Sequence, residues 1–203
     1  MPTSAVVICR ASDRASAELL AESMAKRAGV REVVVQDGPC GPAHARNVGA
    51  ARTDPTSTIL AFLDADVRYV SGSFRELEDR SEGCWSPTFL DGTGGDFLTR
   101  LTIEGANAGA ASGQPRFLLG PCQIVRKSWF RGYVTTRILE DAELGRELQE
   151  RGCRMGIAPL EVSIERPFTP RTAAKVRRDP RWLTRNTPAE AWEAPHSVVR
   201  GSG

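Results

Sequence analysis

The run Ile59-Leu60-Ala61-Phe62-Leu63, closed by Asp64-Ala65-Asp66, constrains this chain more than any other stretch. Five consecutive apolar residues suit a strand covered on both faces, the usual state of a strand inside a parallel α/β sheet. The strand ends in two carboxylates at its carboxyl end, the side on which open α/β sheets bind ligands. Two acids so close repel each other unless a cation, a sugar hydroxyl or solvent meets them. Convergence of both on one ion requires the chain to turn at Ala65. A hard divalent cation takes oxygen ligands and bridges carboxylates to phosphate. The plainer alternative is a strand followed by a solvated acidic turn.

The preceding segments supply the neighbours such a strand needs. Ala5-Val6-Val7-Ile8-Cys9 is a short apolar run rich in β-branched residues. Ser12-Asp13 offers capping side chains for a helix reaching about Arg27, with Leu19, Leu20 and Met24 on one stripe and Gly29 closing it. Glu32 to Gln36 reads as a second strand ending at Asp37-Gly38, and Pro39 to Pro42 as a loop. His44 to Ala51 is helical in composition, and Thr58 to Leu63 is the third strand. This alternation predicts an α/β fold with parallel pairing and right-handed crossovers.

The later chain is less regular. Residues 83–95 mix Trp85, Phe89 and Leu90 with turn residues, and 105–113, rich in Gly, Ala, Asn and Ser, read as a mobile loop. Phe117 to Val125 suits two short strands broken at Gly120-Pro121. Leu139 to Arg151 has the spacing of an amphipathic helix with Leu144 and Leu148 inward, stopped by Gly152. Ile157 to Ile164 is expected to be the last strand. Glu140-Asp141 falls in that helix's first turn, where its dipole favours acids. A carboxylate there, close to a cleft, also suits a general base.

Composition sets limits on partners. The 203 residues suit one domain, or one domain with an extension. Residues 166–203 hold eight Lys/Arg against three Asp/Glu, while residues 1–165 hold 19 against 22. The split predicts a weakly acidic body, 1–165, and a basic extension, 166–203, the latter either solvated or turned toward an anionic ligand or surface. The five cysteines are odd in number and form no Cys-x-x-Cys pair, which predicts reduced thiols of a cytoplasmic protein rather than a disulfide framework or zinc site. The N-terminus lacks the pattern of a signal peptide, and no apolar stretch approaches the ~18 residues of a membrane span.

Gly41 to Ala51, with its Gly-x-x-x-Ala-Arg-Asn-x-Gly pattern, Phe62-Leu63-Asp64-Ala65-Asp66, and Gly120 through Gly152 with Leu139-Glu140-Asp141-x-Glu143-Leu144 inside it together resemble the family 2 glycosyltransferases of the GT-A fold. The order and spacing of these stretches carry the resemblance, which covers roughly residues 4–165. It implies a Rossmann-like, mixed, mostly parallel sheet flanked by helices. It also implies an inverting hexosyltransferase that moves a sugar from a nucleotide-sugar donor, UDP-linked in most such enzymes, to an acceptor hydroxyl. Asp37 would then bond the base through its ring N–H, Arg46 would lie near the nucleotide, and Asp64 would contact the ribose side and help hold the metal. Asp66 would bind Mn2+ or Mg2+ directly, and Asp141 would take the proton from the attacking hydroxyl, with Glu140 beside it at the acceptor.

Departures from the family pattern bear on specificity. The first strand ends in Cys9-Arg10-Ala11-Ser12 rather than a Pro-Thr-Tyr-Asn-like turn, which leaves the base open. Where many GT-A enzymes place a metal-binding His, this chain has Glu165-Arg166, and His196 comes some thirty residues later. The expectation is that the metal has the Asp64/Asp66 pair, and that His44 is a surface or capping group. Arg178-Asp179-Pro180-Arg181-Trp182 resembles the (Gln/Arg)-x-x-Arg-Trp stretch of polysaccharide-synthesising members, where Trp182 would stack on an acceptor sugar and Arg178 and Arg181 would meet the diphosphate. The basic tail could alternatively pack on the body, or touch the inner face of a membrane if the acceptor, a saccharide, were lipid-linked. Nucleic acid is not expected as a partner. Two rivals remain: a nucleotidyltransferase, which should show glycines directly after the first strand, and a catalytically inactive nucleotide-binding module. The missing Gly-x-Gly-x-x-Gly after the first strand argues against a dinucleotide-binding dehydrogenase.

Overall fold

The computed structural model describes residues 2–115, 118–135, 140–166 and 196–201. Strand β1 (Thr3–Cys9) is buried along its whole length. It is followed by a 3-10 turn and helix α1 (Arg14–Arg27), which packs Ala17, Leu20, Ala21, Met24 and Ala25 inward. Leu19, expected on that stripe, points outward and is 70% exposed. The chain leaves α1 through Gly29 in the left-handed region, at φ 72°, and enters β2 (Glu32–Asp37). Helix α2 (Pro42–Arg52) begins with proline in its first turn, where a missing N–H costs nothing. Strand β3 (Ile59–Asp64) follows, and β1 pairs parallel with both β2 and β3, as the alternation predicted.

Beyond β3 the structure departs from the sequence expectation in several places. Val67–Gly72 forms β4 and Cys84–Asp91 forms β5. The stretch expected to be a mobile loop, 105–113, lies mostly in helix α3 (Phe97–Ala111), capped by Asp96, whose carboxylate accepts from the Thr99 N–H at 2.8 Å. α3 lies against β5 with Ala106 and Ala110 buried. Asn107 uses that closeness, donating to the Phe89 carbonyl and accepting from the Phe89 N–H, each at 3.0 Å. Of the two strands expected around Gly120-Pro121, the described residues show one, β6 (Cys122–Arg126). Helix α4 (Glu140–Glu150) and strand β7 (Met155–Ile164) fall where the pattern placed them. β7 is not the last strand: His196–Arg200 forms β8, antiparallel to β2.

The eight strands make one sheet in the order β4-β7-β5-β6-β3-β1-β2-β8. The α/β class and the mixed, Rossmann-like sheet flanked by helices agree with expectation, but the sheet is not mostly parallel. Among the described residues three pairings are parallel and four antiparallel. The antiparallel ones are β6 against both β3 and β5, β4 against β7, and β8 against β2. Because β6 opposes both, β5 runs the same way as β3, and β7 runs parallel to β5. The carboxyl ends of β1, β2, β3, β5 and β7 therefore share one edge of the sheet, where β4, β6 and β8 begin.

Candidate active site

That edge collects most of the acids singled out in the sequence. Asp37 closes β2 and Asp64 closes β3, with β1 between them. Two strand spacings put them roughly 10 Å apart. After Asp64 the chain turns at Ala65-Asp66. The Asp64 N–H donates to the Pro121 carbonyl and the Ala65 N–H to the Ile8 carbonyl, both at 3.0 Å, so neighbouring strand ends hold the turn from both sides. The Glu165 N–H donates to the Asp66 carbonyl at 3.0 Å and ties the end of β7 to the same turn.

Arg46 joins the distant parts. It lies on α2, 1% exposed, and its Nη2 donates to Asp64 Oδ1 at 2.8 Å and to the Gly120 carbonyl at 3.1 Å. Its Nη1 donates to Glu140 Oε1 at 2.7 Å. The guanidinium also lies over the Tyr133 ring, 5.2 Å from the centroid. Burial works against its charge, yet Asp64, Tyr133 and Glu140 around it hold the guanidinium above its usual range. The next residue, Asn47, accepts from the Tyr133 N–H at 2.7 Å and donates to its carbonyl at 2.9 Å. Arg46 and Asn47 thus fix three pieces of chain: the end of β3, the start of α4 and the segment around Tyr133.

Asp141 is adjacent to this network. A Cβ placed on Gly120 would come within 2.8 Å of Asp141 Oδ2, so the carboxylate occupies space that only glycine leaves open. Asp141 Oδ1 accepts from the Ala142 N–H at 2.8 Å. Asp64, Glu140 and Asp141 therefore gather around Arg46 and Gly120. Asp66 is close enough for its charge to act on Asp64, and it also has Arg166, Asp13 and Arg10 as charged neighbours; Arg166 Nη2 donates to Asp13 at 2.8 Å.

Electrostatics follow from this crowding. Burial, and then the charges of Asp66 and Glu140, push the Asp64 carboxyl up to about 6 despite Arg46, although 32% of its side chain stays open to solvent. Burial raises Asp66 as well, with Arg166 opposing the shift. Among the described residues no group of three or more His, Cys, Asp or Glu side chains is gathered for a metal ion. The donor set nevertheless fits a hard cation. Asp64 spends Oδ1 on Arg46 and keeps Oδ2, and Asp66 adds a second carboxylate whose charge is partly countered by Arg166 and Arg10; Mg2+ takes one or two carboxylates and completes its shell with substrate phosphate and water. Glu165 instead pairs with Arg68 at 3.0 Å, and His44 is half-buried on α2.

Asp37 sits with partners that the sequence did not point to. Its Oδ1 accepts from Arg14 Nη1 at 3.1 Å and from the Cys9 thiol at 3.0 Å. All five cysteines are buried and none is in a disulfide. Arg178, Arg181 and Trp182 lie outside the described residues. Tyr133 and Asn47 were missed as members of the site. An Asn inside a helix, where it is disfavoured unless its amide is employed, was the available signal.

No protein-family model and no curated protein sequence matches this chain. Solved structures match its fold. The crystal structure of S. aureus TarS superposes with a TM-score of 0.57 over 94% of this chain at 15% identity, and this chain spans 41% of that one. The structure of S. aureus TarS 1–349 gives 0.55 over 94% of this chain and 68% of the other, again at 15% identity. Glucosyl-3-phosphoglycerate synthase from Mycobacterium tuberculosis, solved with Mn2+, UDP and glucosyl-3-phosphoglycerate, gives 0.50 over 99% of this chain and 88% of that one, at 11% identity. At these identities the likeness is one of fold: the chain shares the α/β architecture of these structures. Among the described residues no helix is long and apolar enough to cross a membrane.

Proposed function

We propose that this chain is an inverting glycosyltransferase of the GT-A type, similar to family 2. It would move a hexose from a nucleoside-diphosphate-sugar, UDP-linked by preference, to a hydroxyl of a saccharide or lipid-linked acceptor. One observation carries the reading. Arg46 ties Asp64 at the end of β3 to Glu140 at the start of α4, which brings Asp141 to the edge where ligands of α/β sheets bind. The roughly 10 Å from Asp37 to Asp64 suits a nucleoside lying across β1, base toward Asp37 and diphosphate toward the Asp64-Ala65-Asp66 turn.

Asp66 and Asp64 would hold Mn2+ or Mg2+. The ion, when bound, stabilises the charge that grows on the leaving diphosphate. Asp141 accepts the proton of the attacking hydroxyl, and Gly120 leaves its carboxylate the room to do so. Glu140 stays on Arg46 and anchors the helix that presents Asp141. A single base and one in-line displacement invert the anomeric centre.

Two variants test the assignment. Asp141→Asn should leave donor binding near the native value and cut turnover by roughly 10²–10⁴-fold, the usual worth of a general base. Asp66→Ala should abolish the metal dependence of nucleotide binding. Calorimetry and a nucleotide-release assay read both. Native turnover in Asp141→Asn would remove it from the chemistry, and a native chain that binds UDP without transfer or donor hydrolysis would be a binding module.

A further inference from the structure

The contacts of Asp37 point to how the site chooses its base. Asp37 lies beside Cys9 in the β1–β2 register, and Arg14 opens the helix that follows β1. Both donate to the same carboxylate oxygen, Oδ1, the thiol at 3.0 Å and the guanidinium at 3.1 Å. Arg14 is itself held by Glu18, which accepts from its Nε at 2.8 Å. Among the described residues none donates to Oδ2. The thiol keeps its proton at neutral pH, since burial and then Asp37 push Cys9 up to about 12.

We propose that Cys9 and Arg14 set the base specificity of the donor site by filling one oxygen of Asp37, so that the other accepts a single ring N–H and guanine is rejected in favour of uracil. The inference rests on the transferase reading, with Asp37 as the base contact. Guanine turns a ring N–H and an exocyclic amine toward the same partner, a pair matched to both oxygens of a free carboxylate. Here the amine would meet Oδ1 already taken by two donors, one of them a cation, and a buried donor left without an acceptor is costly. Uracil presents one N–H between two carbonyls. The N–H meets Oδ2, and the carbonyl beside it faces the positive side of the Cys9–Arg14 pair instead of a lone pair. Cytosine puts a ring lone pair where the N–H must be. Selection thus works by an obstacle to the wrong base as much as by a bond to the right one.

Titration calorimetry of the full chain with UDP and with GDP, each in Mn2+, tests this on the native protein, on R14Q and on the C9A/R14Q double variant. The native chain should bind UDP at least about tenfold more tightly than GDP, the ratio that one mismatched hydrogen bond commands. C9A/R14Q should narrow that ratio to about threefold or less, chiefly by gaining affinity for GDP, a gain that damaged folding does not produce. R14Q, which leaves the buried thiol in place, should move the ratio part of the way. Equal native affinities, or a ratio that neither variant changes, would overturn the inference and leave the transferase reading standing. Failure of both diphosphates to bind would remove the two together.

Discussion

Gly120 and Asp141 are a pair that substitution can separate. Gly120 does not have a positive φ, so alanine suits its backbone, and the obstacle to a Cβ is the tip of the Asp141 side chain. Gly120→Ala should therefore fold with little loss of stability while displacing the carboxylate, and turnover should fall by about 10²-fold, as a misplaced catalytic group allows. Normal steady-state rates in that variant would free Asp141 from the role given to it. Asp64 gives a pH prediction. Its folded value of about 6 lies above the value of about 4 for an unfolded chain. The folded protein thus holds this proton more tightly, so the stabilising contribution is complete below about pH 4 and is lost as the pH rises past about 6. In EDTA, the unfolding free energy of the native chain minus that of Asp64→Asn should decline from pH 4 to 6 by denaturant titration. A flat difference would deny the upward shift.

Among the elements, α2 decides most, because it carries both Arg46 and the glycine that seats it. Gly49 faces Val6 in the middle of β1, where a Cβ would overlap the valine side chain. Both Gly49 and Val6 are buried, so neither can swing away. Alanine brings about 1 kcal/mol of helix propensity, but overpacking a tight core costs 1–3 kcal/mol. The overlap should win. Gly49→Ala is expected to lower the unfolding free energy by up to about 2 kcal/mol, and a more stable variant would show that α2 sits farther from β1. The same helix explains why a Gly-x-x-x-Ala-Arg-Asn-x-Gly stretch was legible in the sequence. Its glycine, arginine and asparagine each meet a distant partner and tolerate few substitutes.

At the level of the whole molecule, β8 alters how the C-terminal region is understood. Its residues cover the edge of β2 from Glu32 to Gln36, next to the strand that ends in Asp37. A chain ended at residue 165 leaves that edge, with Val33, Val34 and Val35, open to pairing with other chains. It should melt about 2–4 °C lower, the shift expected for the loss of roughly 1 kcal/mol in a domain of this size, and scatter more light on warming. An unchanged melting temperature would make β8 a bystander.

Buried runs ended by carboxylates, alternating with amphipathic helices, were enough to predict the class of fold, parallel pairing among the first strands and the acids at the ends of β2 and β3. Those features are local: period, cap and breaker are written in adjacent residues. The helical state of 105–113 was not legible, because its glycines and alanines carry too weak an apolar period to mark a helix, and only the fold buries Ala106 and Ala110. Nor were β8, the antiparallel majority of the sheet, the Arg46 bridge or the filling of one Asp37 oxygen. Each depends on residues far apart in the chain meeting at a set distance and angle, and only the assembled sheet determines which of them meet.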